Sequence, residues 1–337
     1  MKVAVVGAGA WGTTLASILS TGADTWLWAR EAEVVDSIRA SRTNVLFLDD
    51  IVLPRQLRVS GDLDDVVADA DVVVVAVPAQ HVRATLGQAI TVIPHGSTIV
   101  SATKGIELST GFRMTEVLAA VLPDHDPSAI GVLAGPNLAR EVMAGHPSAT
   151  CVAFGEPSRA VAVQSLLGRE TLRVYTSDDV VGCEIGGAAK NVIAIAAGVA
   201  DGLGFGMNTK AAVVSRGLAE LTRLGVAVGA RPLTFLGLAG NGDLLATCSS
   251  SLSRNRCLGE ALAMGAPLPA AGDDGRSVAE GVQTAPALLA LAAGVGVEMP
   301  ISATVDALLR GELPIGDVVA RLMHRDPKAE LEGLGMT

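Results

Sequence analysis

The strongest constraint on the fold is that strand signals stop after residue 177. Before that point, short apolar runs alternate with helical patterns, as in a parallel, doubly wound sheet. The predicted strands are 2–7, 24–29, 71–78, 97–102, 129–134, 149–153 and 171–175. The rest of the chain predicts helices only, at about 178–200, 208–224, 253–264, 283–293, 302–310 and 314–323. We therefore expect two domains, residues 1–180 and 181–330.

A glycine-rich turn follows the first predicted strand. The segment Gly7-Ala8-Gly9-Ala10-Trp11-Gly12 leads directly into a helical pattern, so GxGxxG stands between a strand and a helix. In such a turn the first glycine permits a tight bend, the second lets backbone approach a pyrophosphate, and the third allows close helix packing. The helix N-terminus attracts the negative charge. The sequence therefore predicts a Rossmann-like α/β domain with a dinucleotide site, followed by an all-α domain.

The residue after the second predicted strand bears on the choice of cofactor. Arg30 stands where NAD-specific sites usually have an acidic residue, and arginine suits the 2′-phosphate of NADP. Glu31 follows directly and would serve NAD. Arg30 therefore favours NADP, but both cofactors stay open. Lys104 also follows a predicted strand, at the sheet edge where open α/β sheets bind ligands, and would face an anionic group.

One predicted helix, at 178–206, is apolar on nearly all sides and contains a single cation. Lys190 follows the pair Gly186-Gly187, which costs about 1 kcal/mol per glycine and indicates close approach to the backbone. A buried lysine is costly unless its charge is paired with a counter-ion or the amine has a chemical function. We hypothesise that Lys190 is a proton donor and acceptor facing cofactor and substrate, with the small residues making room. The alternative is a lysine that reaches the surface.

Two further segments carry polar groups in the helical half. Asp243 precedes Leu244-Leu245, where it would cap a short helix or orient a nearby lysine. The segment Ser253-Arg254-Asn255-Arg256 opens a helix with a hydroxyl, an amide and two guanidinium groups. Free backbone amides at a helix start and the fork of arginine both suit phosphate, so we interpret this segment as an anion site.

Composition excludes several classes of protein. A net charge of −10 argues against a nucleic-acid partner. No apolar run reaches the ~18 residues that a membrane span needs, so we expect a cytoplasmic protein without membrane insertion. The four cysteines are widely spaced and include no CxxC pair, which indicates neither a disulfide framework nor a metal site.

Taken together, these segments resemble the bacterial NAD(P)-dependent glycerol-3-phosphate dehydrogenases over essentially the whole chain. The motifs that carry the resemblance are SATKGIE (101–107), AGPNLAREV (134–142), EIGGAAKNVIAIAAGVADGLGFG (184–206), RGLAEL (216–221), AGNGDLLATC (239–248), SRNR (253–256) and VAEG (278–281). Three segments depart from the family pattern. Ala134-Gly135-Pro136-Asn137 stands where the family has SGP followed by Thr or Ser, and Pro78-Ala79-Gln80 stands where it has PSQ. The segment at 43–50, Thr-Asn-Val-Leu-Phe-Leu-Asp-Asp, matches the family's usual loop more loosely.

The resemblance implies roles for individual residues. It implies cofactor contacts at Ala10, Trp11, Arg30, Lys104, Ala139, Arg254, Val278 and Glu280, beside the turn glycines Gly7, Gly9 and Gly12. It implies substrate contacts at Lys104, Gly135, Asn137, Lys190, Asp243, Ser253, Arg254 and Asn255. Lys190 matches the catalytic proton acceptor, with Lys104 and Asp243 as its catalytic partners.

The implied reaction is reduction of dihydroxyacetone phosphate to sn-glycerol 3-phosphate with NADPH or NADH, for phospholipid synthesis. We expect a homodimer whose substrate is a small phosphate ester. One alternative is a dehydrogenase of a hydroxy or keto acid, which needs fewer cations than SRNR offers. Another alternative is a protein that senses nicotinamide cofactors without catalysing a reaction. The presence of both Lys190 and Asp243 argues against such a sensor.

Overall fold

The computed structural model describes residues 1–267, 279–323, 329 and 330. Contacts between Cα atoms group the chain into two compact units. The first, called here the sheet unit, consists of residues 1–104 and 114–180. The second, the helical unit, consists of residues 105–113 and the chain from Val181 onward.

The sheet unit contains an eight-stranded sheet within its described residues. Its strands are β1 (Lys2–Val6), β2 (Asp24–Trp28), β3 (Arg58–Ser60), β4 (Val72–Val75), β5 (Thr98–Ser101), β6 (Ile130–Ala134), β7 (Ser148–Ala153) and β8 (Leu172–Ser177). They lie in the order β3-β2-β1-β4-β5-β6-β7-β8. The order reverses between β1 and β4, and ligands bind at such a switch point in open α/β sheets.

Helices connect most of these strands. They are α1 (Ala10–Ser20), α2 (Ala32–Ser41), α3 (Leu63–Val67), α4 (Val82–Leu86), α5 (Met114–Val121), α6 (Ala139–Met143) and α7 (Pro157–Leu167). Alternate side chains of β1 enter separate cores: Val3 and Val5 lie in one, and Ala4 and Val6 lie in the other. Both faces of the sheet are therefore covered, as predicted for a doubly wound fold.

One strand pair differs from the parallel sheet that the sequence predicts. β6 and β7 are antiparallel, whereas every other neighbouring pair is parallel. The only helix between them, α6, has five residues and spans about 7 Å. A parallel pair needs a crossover that returns the chain along the whole strand. Because α6 is too short for that, the chain turns back directly.

The helical unit is built around one long buried helix. Its helices are α8 (Val180–Gly202), α9 (Met207–Ala227), α10 (Asp243–Ser249), α11 (Arg254–Ala263), α12 (Glu280–Gly294), α13 (Pro300–Leu309) and α14 (Val318–Met323). Among the described residues, α8 is the one helix with the length and apolar character to cross a bilayer. However, 83% of its most apolar stretch of 18 residues is buried inside the protein, as is usual for a core helix.

Close backbone packing explains several glycines around α8. A Cβ on Gly186 would lie 2.5 Å from the carbonyl oxygen of Ala239, and one on Gly198 would lie 1.9 Å from that of Arg256. At Gly186 the close approach is therefore made by protein backbone, where we had expected room for ligands. These contacts bring α8 next to α11 and to the turn that precedes α10.

Candidate active site

The glycine-rich turn has a geometry suited to a phosphate group. Gly7 has φ +113°, and a Cβ there would lie 2.8 Å from the carbonyl carbon of Ala76, just after β4. A Cβ on Gly12 would lie 1.9 Å from the oxygen of Gly7, so α1 can start this close only with glycine. At Gly9, by contrast, nothing lies within 4 Å of the Cβ position. The turn is closed on the protein side and open at its second glycine.

The start of α1 offers donors toward that open side. Gly9 is the N-cap and supplies no side-chain hydrogen bond, so the first amides of the helix have no capping acceptor. The buried Nε1 atom of Trp11 also lacks a hydrogen-bond partner among the described residues. Free helix amides favour anions. These donors fit the pyrophosphate and polar groups of a nicotinamide dinucleotide.

Arg30 lies just beyond the end of β2 and is exposed. Its guanidinium pairs with the carboxylate of Glu31, with Nη2 2.7 Å and Nε 3.0 Å from Oε1. The two residues that favour opposite cofactors are thus bound to each other. A 2′-phosphate would compete with Glu31 for the same guanidinium.

Two predicted residues meet beyond the ends of β5 and β6, and a third follows two residues further along the chain. The Nζ atom of Lys104 donates to the carbonyl oxygen of Gly135 at 3.0 Å, and Gly135 adopts a left-handed φ of +126°. Both polar atoms of the Asn137 side chain are buried and have no hydrogen-bond partner in the described part of the chain. A buried amide without partners is costly, which is consistent with a ligand that completes it. Ala139 opens α6 immediately afterwards.

In the helical unit, Lys190 is buried with its charge paired. Its Nζ atom lies 2.6 Å from Oδ1 of Asp243 and 2.6 Å from Oγ1 of Thr247. The side chains of Lys190 and Asp243 are 7% and 1% exposed. An ammonium group has three hydrogens, and these contacts direct two of them. The third can be donated to a substrate oxygen.

Asp243 does not cap α10, which was the alternative that the sequence left open. The N-cap of α10 is Gly242, and it makes no side-chain hydrogen bond. Asp243 is the first residue of the helix, and its carboxylate accepts from Lys190. Of the two roles that the sequence allowed for Asp243, the contacts therefore support the second, which is to orient the lysine.

Sequence reasoning missed two residues in this cluster. Thr247 follows Asp243 by four residues and so lies on the same face of α10, a spacing that could have revealed it. Asn191 follows Lys190 on α8, and its Oδ1 accepts from Nδ2 of Asn255 at 3.0 Å. This bond ties the helix of the lysine to the helix that carries the SRNR segment.

The two arginines of the SRNR segment lie in different surroundings. Ser253 caps α11, because its Oγ accepts from the amide of Arg256 at 3.3 Å. The guanidinium of Arg256 is held by Asp201, with Nε 2.7 Å from Oδ2, so it does not join Arg254 in an anion site as we had interpreted. Arg254 is exposed. The anion donors are thus reduced to Arg254, the remaining amide hydrogen of Asn255 and the helix end.

The last of the predicted site residues that the structure describes lies at the start of α12. Glu280 is its first residue, and the amide of the next residue, Gly281, donates to Oδ1 of Asn255 at 2.9 Å. Val278, which the resemblance implies as a cofactor contact, lies outside the described residues.

A glycine turn at the switch point of a doubly wound sheet, with a buried Lys–Asp pair in a helical unit, is typical of nicotinamide-dependent oxidoreductases. Comparison with known proteins identifies the family. The profile described as "NAD-dependent glycerol-3-phosphate dehydrogenase N-terminus" matches residues 2–160, and the corresponding C-terminus profile matches residues 179–320. This chain belongs to the NAD-dependent glycerol-3-phosphate dehydrogenase family.

Individual relatives agree with the family profiles. A protein from Geobacter sulfurreducens named glycerol-3-phosphate dehydrogenase [NAD(P)+] is 49% identical over 330 residues, covering 98% of each chain. One of the same name from Corynebacterium glutamicum is 47% identical, covering 98% of this chain and all of the relative. The crystal structure of glycerol-3-phosphate dehydrogenase from Coxiella burnetii aligns with a TM-score of 0.91 at 33% identity, covering 96% of this chain and 99% of that one.

Proposed function

We propose that this protein reduces dihydroxyacetone phosphate to sn-glycerol 3-phosphate with NADPH or NADH. The observation that carries the proposal is the Nζ atom of Lys190, buried and held 2.6 Å from both Asp243 and Thr247. The names of the relatives support the same substrate and cofactors. In this proposal most of the cofactor contacts come from residues 1–180, and the reacting lysine and the phosphate site come from residues 181–330.

The cofactor is held by the glycine turn at residues 7–12, with Trp11, Arg30, Ala139 and Glu280 as further contacts. Reduced nicotinamide supplies the hydride for the ketone carbon. Free amides at the start of α1 bind the pyrophosphate, because Gly9 leaves that side open. Arg30 binds the 2′-phosphate of NADPH once it leaves Glu31, so the protein accepts both cofactors and favours NADPH.

The substrate phosphate binds to Arg254, to the free hydrogen of Asn255 and to the helix end at Ser253. Gly135 and Asn137 contact the rest of the substrate, and the unpartnered amide of Asn137 supports this role. Lys104 lies beside them through its bond to Gly135 and binds both cofactor and substrate.

Lys190 provides the proton in this mechanism. Its third N–H donates to the ketone oxygen, and its charge stabilises the alkoxide that develops there before the proton moves. Asp243 and Thr247 fix the direction of that hydrogen by holding the other two. In glycerol 3-phosphate oxidation the same amine accepts the proton.

The proposal is tested by mixing the pure protein with NADPH or NADH and following the absorbance of the reduced nicotinamide. Oxidation with dihydroxyacetone phosphate, and none with dihydroxyacetone or a keto acid, is the expected result. Turnover of the keto acid instead would assign the alternative dehydrogenase activity. Cofactor binding without turnover of any of these compounds would indicate a sensor.

We further propose a cytoplasmic homodimer that supplies phospholipid synthesis. Free cysteines, three of them buried, support a reducing compartment. The burial of α8 supports a protein without membrane insertion. Exposed Leu233 and Leu236, which lie three residues apart in one short helical turn of the helical unit, support association between copies. Light scattering during gel filtration would measure the mass, and a monomer at all concentrations would contradict the dimer.

A further inference from the structure

A side chain far along the sequence reaches the glycine turn. Asn44 is completely buried, and its Nδ2 atom donates to the carbonyl oxygen of Ala8 at 2.8 Å and to Oγ1 of Thr13 at 2.8 Å. Thr13 in turn donates its hydroxyl to the same Ala8 oxygen at 3.1 Å. The carbonyl of Ala8, in the middle of the turn, is thus held by two side chains.

The amide of Asn44 is costly to keep at this position. Its Oδ1 atom is buried and has no hydrogen-bond partner among the described residues. Leaving a buried acceptor unpaired usually destabilises a protein, and an apolar side chain would avoid that cost. The benefit of asparagine must therefore come from the two hydrogens of Nδ2, both of which are used at the turn.

Holding the Ala8 carbonyl also fixes a donor of the turn. The oxygen of Ala8 and the N–H of Gly9 belong to one peptide group, and no cis peptide bonds occur in the described chain. In a trans peptide these two groups point in opposite directions. Because Asn44 and Thr13 hold the oxygen toward the protein interior, the N–H of Gly9 is directed away from it, and nothing lies within 4 Å of the Cβ position of Gly9.

We propose that Asn44 is a positioning residue of the cofactor site, which aims the Gly9 amide at the pyrophosphate of the dinucleotide. The inference rests on the proposed function only in taking a dinucleotide as the ligand of this turn. Asn44 itself does not contact the cofactor. It acts through the Ala8–Gly9 peptide group, and Thr13 is its partner.

The loop around Asn44 provides a matched control. Ser37 holds the same loop, because its Oγ donates to the carbonyl of Thr43 at 2.5 Å and accepts from the amide of Val45 at 3.3 Å. These contacts are on either side of Asn44 but do not reach the glycine turn. Ser37→Ala should therefore loosen the loop and leave the turn intact.

The test measures the dissociation constants of NADPH and NADH by nicotinamide fluorescence, together with Tm. Asn44→Ala should weaken both cofactors about tenfold, the effect of losing one well-placed hydrogen bond. Turnover at saturating cofactor should change less than about twofold, because the chemistry does not involve the turn. Ser37→Ala should lower Tm and leave both dissociation constants unchanged.

A second pair covers the case in which Asn44→Ala does not fold. Thr13→Val removes the partner hydroxyl and should weaken both cofactors, whereas Thr13→Ser keeps the hydroxyl and should bind them as the parent does. Unchanged dissociation constants in Asn44→Ala or Thr13→Val would overturn the inference. Failure of the proposed function is a separate result, since a parent that binds NADPH but does not reduce dihydroxyacetone phosphate still allows the binding comparison.

Discussion

The Nζ atom of Lys190 lies 2.6 Å from Oδ1 of Asp243, and both side chains are almost completely buried. Taking two charges out of water costs several kcal/mol each, so such a pair is rarely kept for stability alone. Here Thr247 completes the cluster and leaves one ammonium hydrogen unassigned. The arrangement suits a group that must present a proton in one direction.

The first prediction concerns the proton itself. Lys190→Met should keep the cofactor dissociation constant and lower kcat by about 100- to 10,000-fold, the usual contribution of a positioned acid. Steady-state kinetics with dihydroxyacetone phosphate measures the loss. Lys2→Met, which removes an ammonium from the first residue of β1, is the control and should retain kcat. A Lys190→Met enzyme as fast as the parent would mean that another group supplies the proton.

The second prediction concerns the charge that Asp243 neutralises. Asp243→Asn should lower the free energy of unfolding by about 3–5 kcal/mol, because it leaves a buried ammonium without its counter-ion. The double variant Lys190→Met/Asp243→Leu should recover part of that stability while remaining inactive. Urea denaturation measures both.

The exposed pairs of Arg140 with Asp49 and Asp50 supply the comparison for that experiment. Arg140→Ala should change the free energy of unfolding by less than about 1 kcal/mol, since exposed ion pairs contribute little. If Asp243→Asn is no more destabilising than Arg140→Ala, the buried pair does not have the assigned electrostatic role.

The third prediction concerns cofactor preference. Glu31→Gln should raise the ratio of kcat/KM for NADPH over NADH by about threefold, because it removes the carboxylate that competes for Arg30. Arg30→Gln should shift the ratio the opposite way. Both effects should shrink at high salt, since the Arg30 guanidinium is exposed. A ratio that is the same in the parent and both variants would exclude this pair from cofactor choice.

The fourth prediction concerns the pH dependence of stability. Burial raises the pKa of the Glu220 carboxyl to about 7, against opposing hydrogen bonds from Ile301 and Ser302 and the charge of Arg223. Because the folded pKa lies above the unfolded one, the contribution of Glu220 to stability is complete below about pH 4.5 and is lost as pH rises through about 7. The loss is on the order of 3 kcal/mol.

Glu220→Gln isolates this effect. Urea denaturation at pH 5 and pH 8 should show a smaller fall in the free energy of unfolding for the variant than for the parent, because glutamine does not titrate. Other groups titrate equally in both proteins and cancel in the difference. An equal fall in the two proteins would contradict a raised pKa at Glu220.

Local sequence patterns determined most of the architecture. Alternating strand and helix signals predicted the doubly wound sheet, and the change at residue 177 predicted the helical half. The GxGxxG turn could also be predicted, because its need for glycine arises within a few residues: Gly7 has a positive φ, and Gly12 touches Gly7. Element type and tight turns depend on neighbours in the chain, which the sequence shows directly.

Only the tertiary structure decided which distant groups meet. It placed Asp243 on Lys190, 53 residues away, and Asn44 on Ala8, 36 residues away. It turned Arg256 to Asp201 and left Arg254 exposed, although the two arginines are nearly adjacent in sequence. It also paired Arg113 with Glu184 at 2.5 Å, within the helical unit. Such partners depend on how helices pack, and side-chain periodicity fixes which face of a helix is buried but not what lies opposite it.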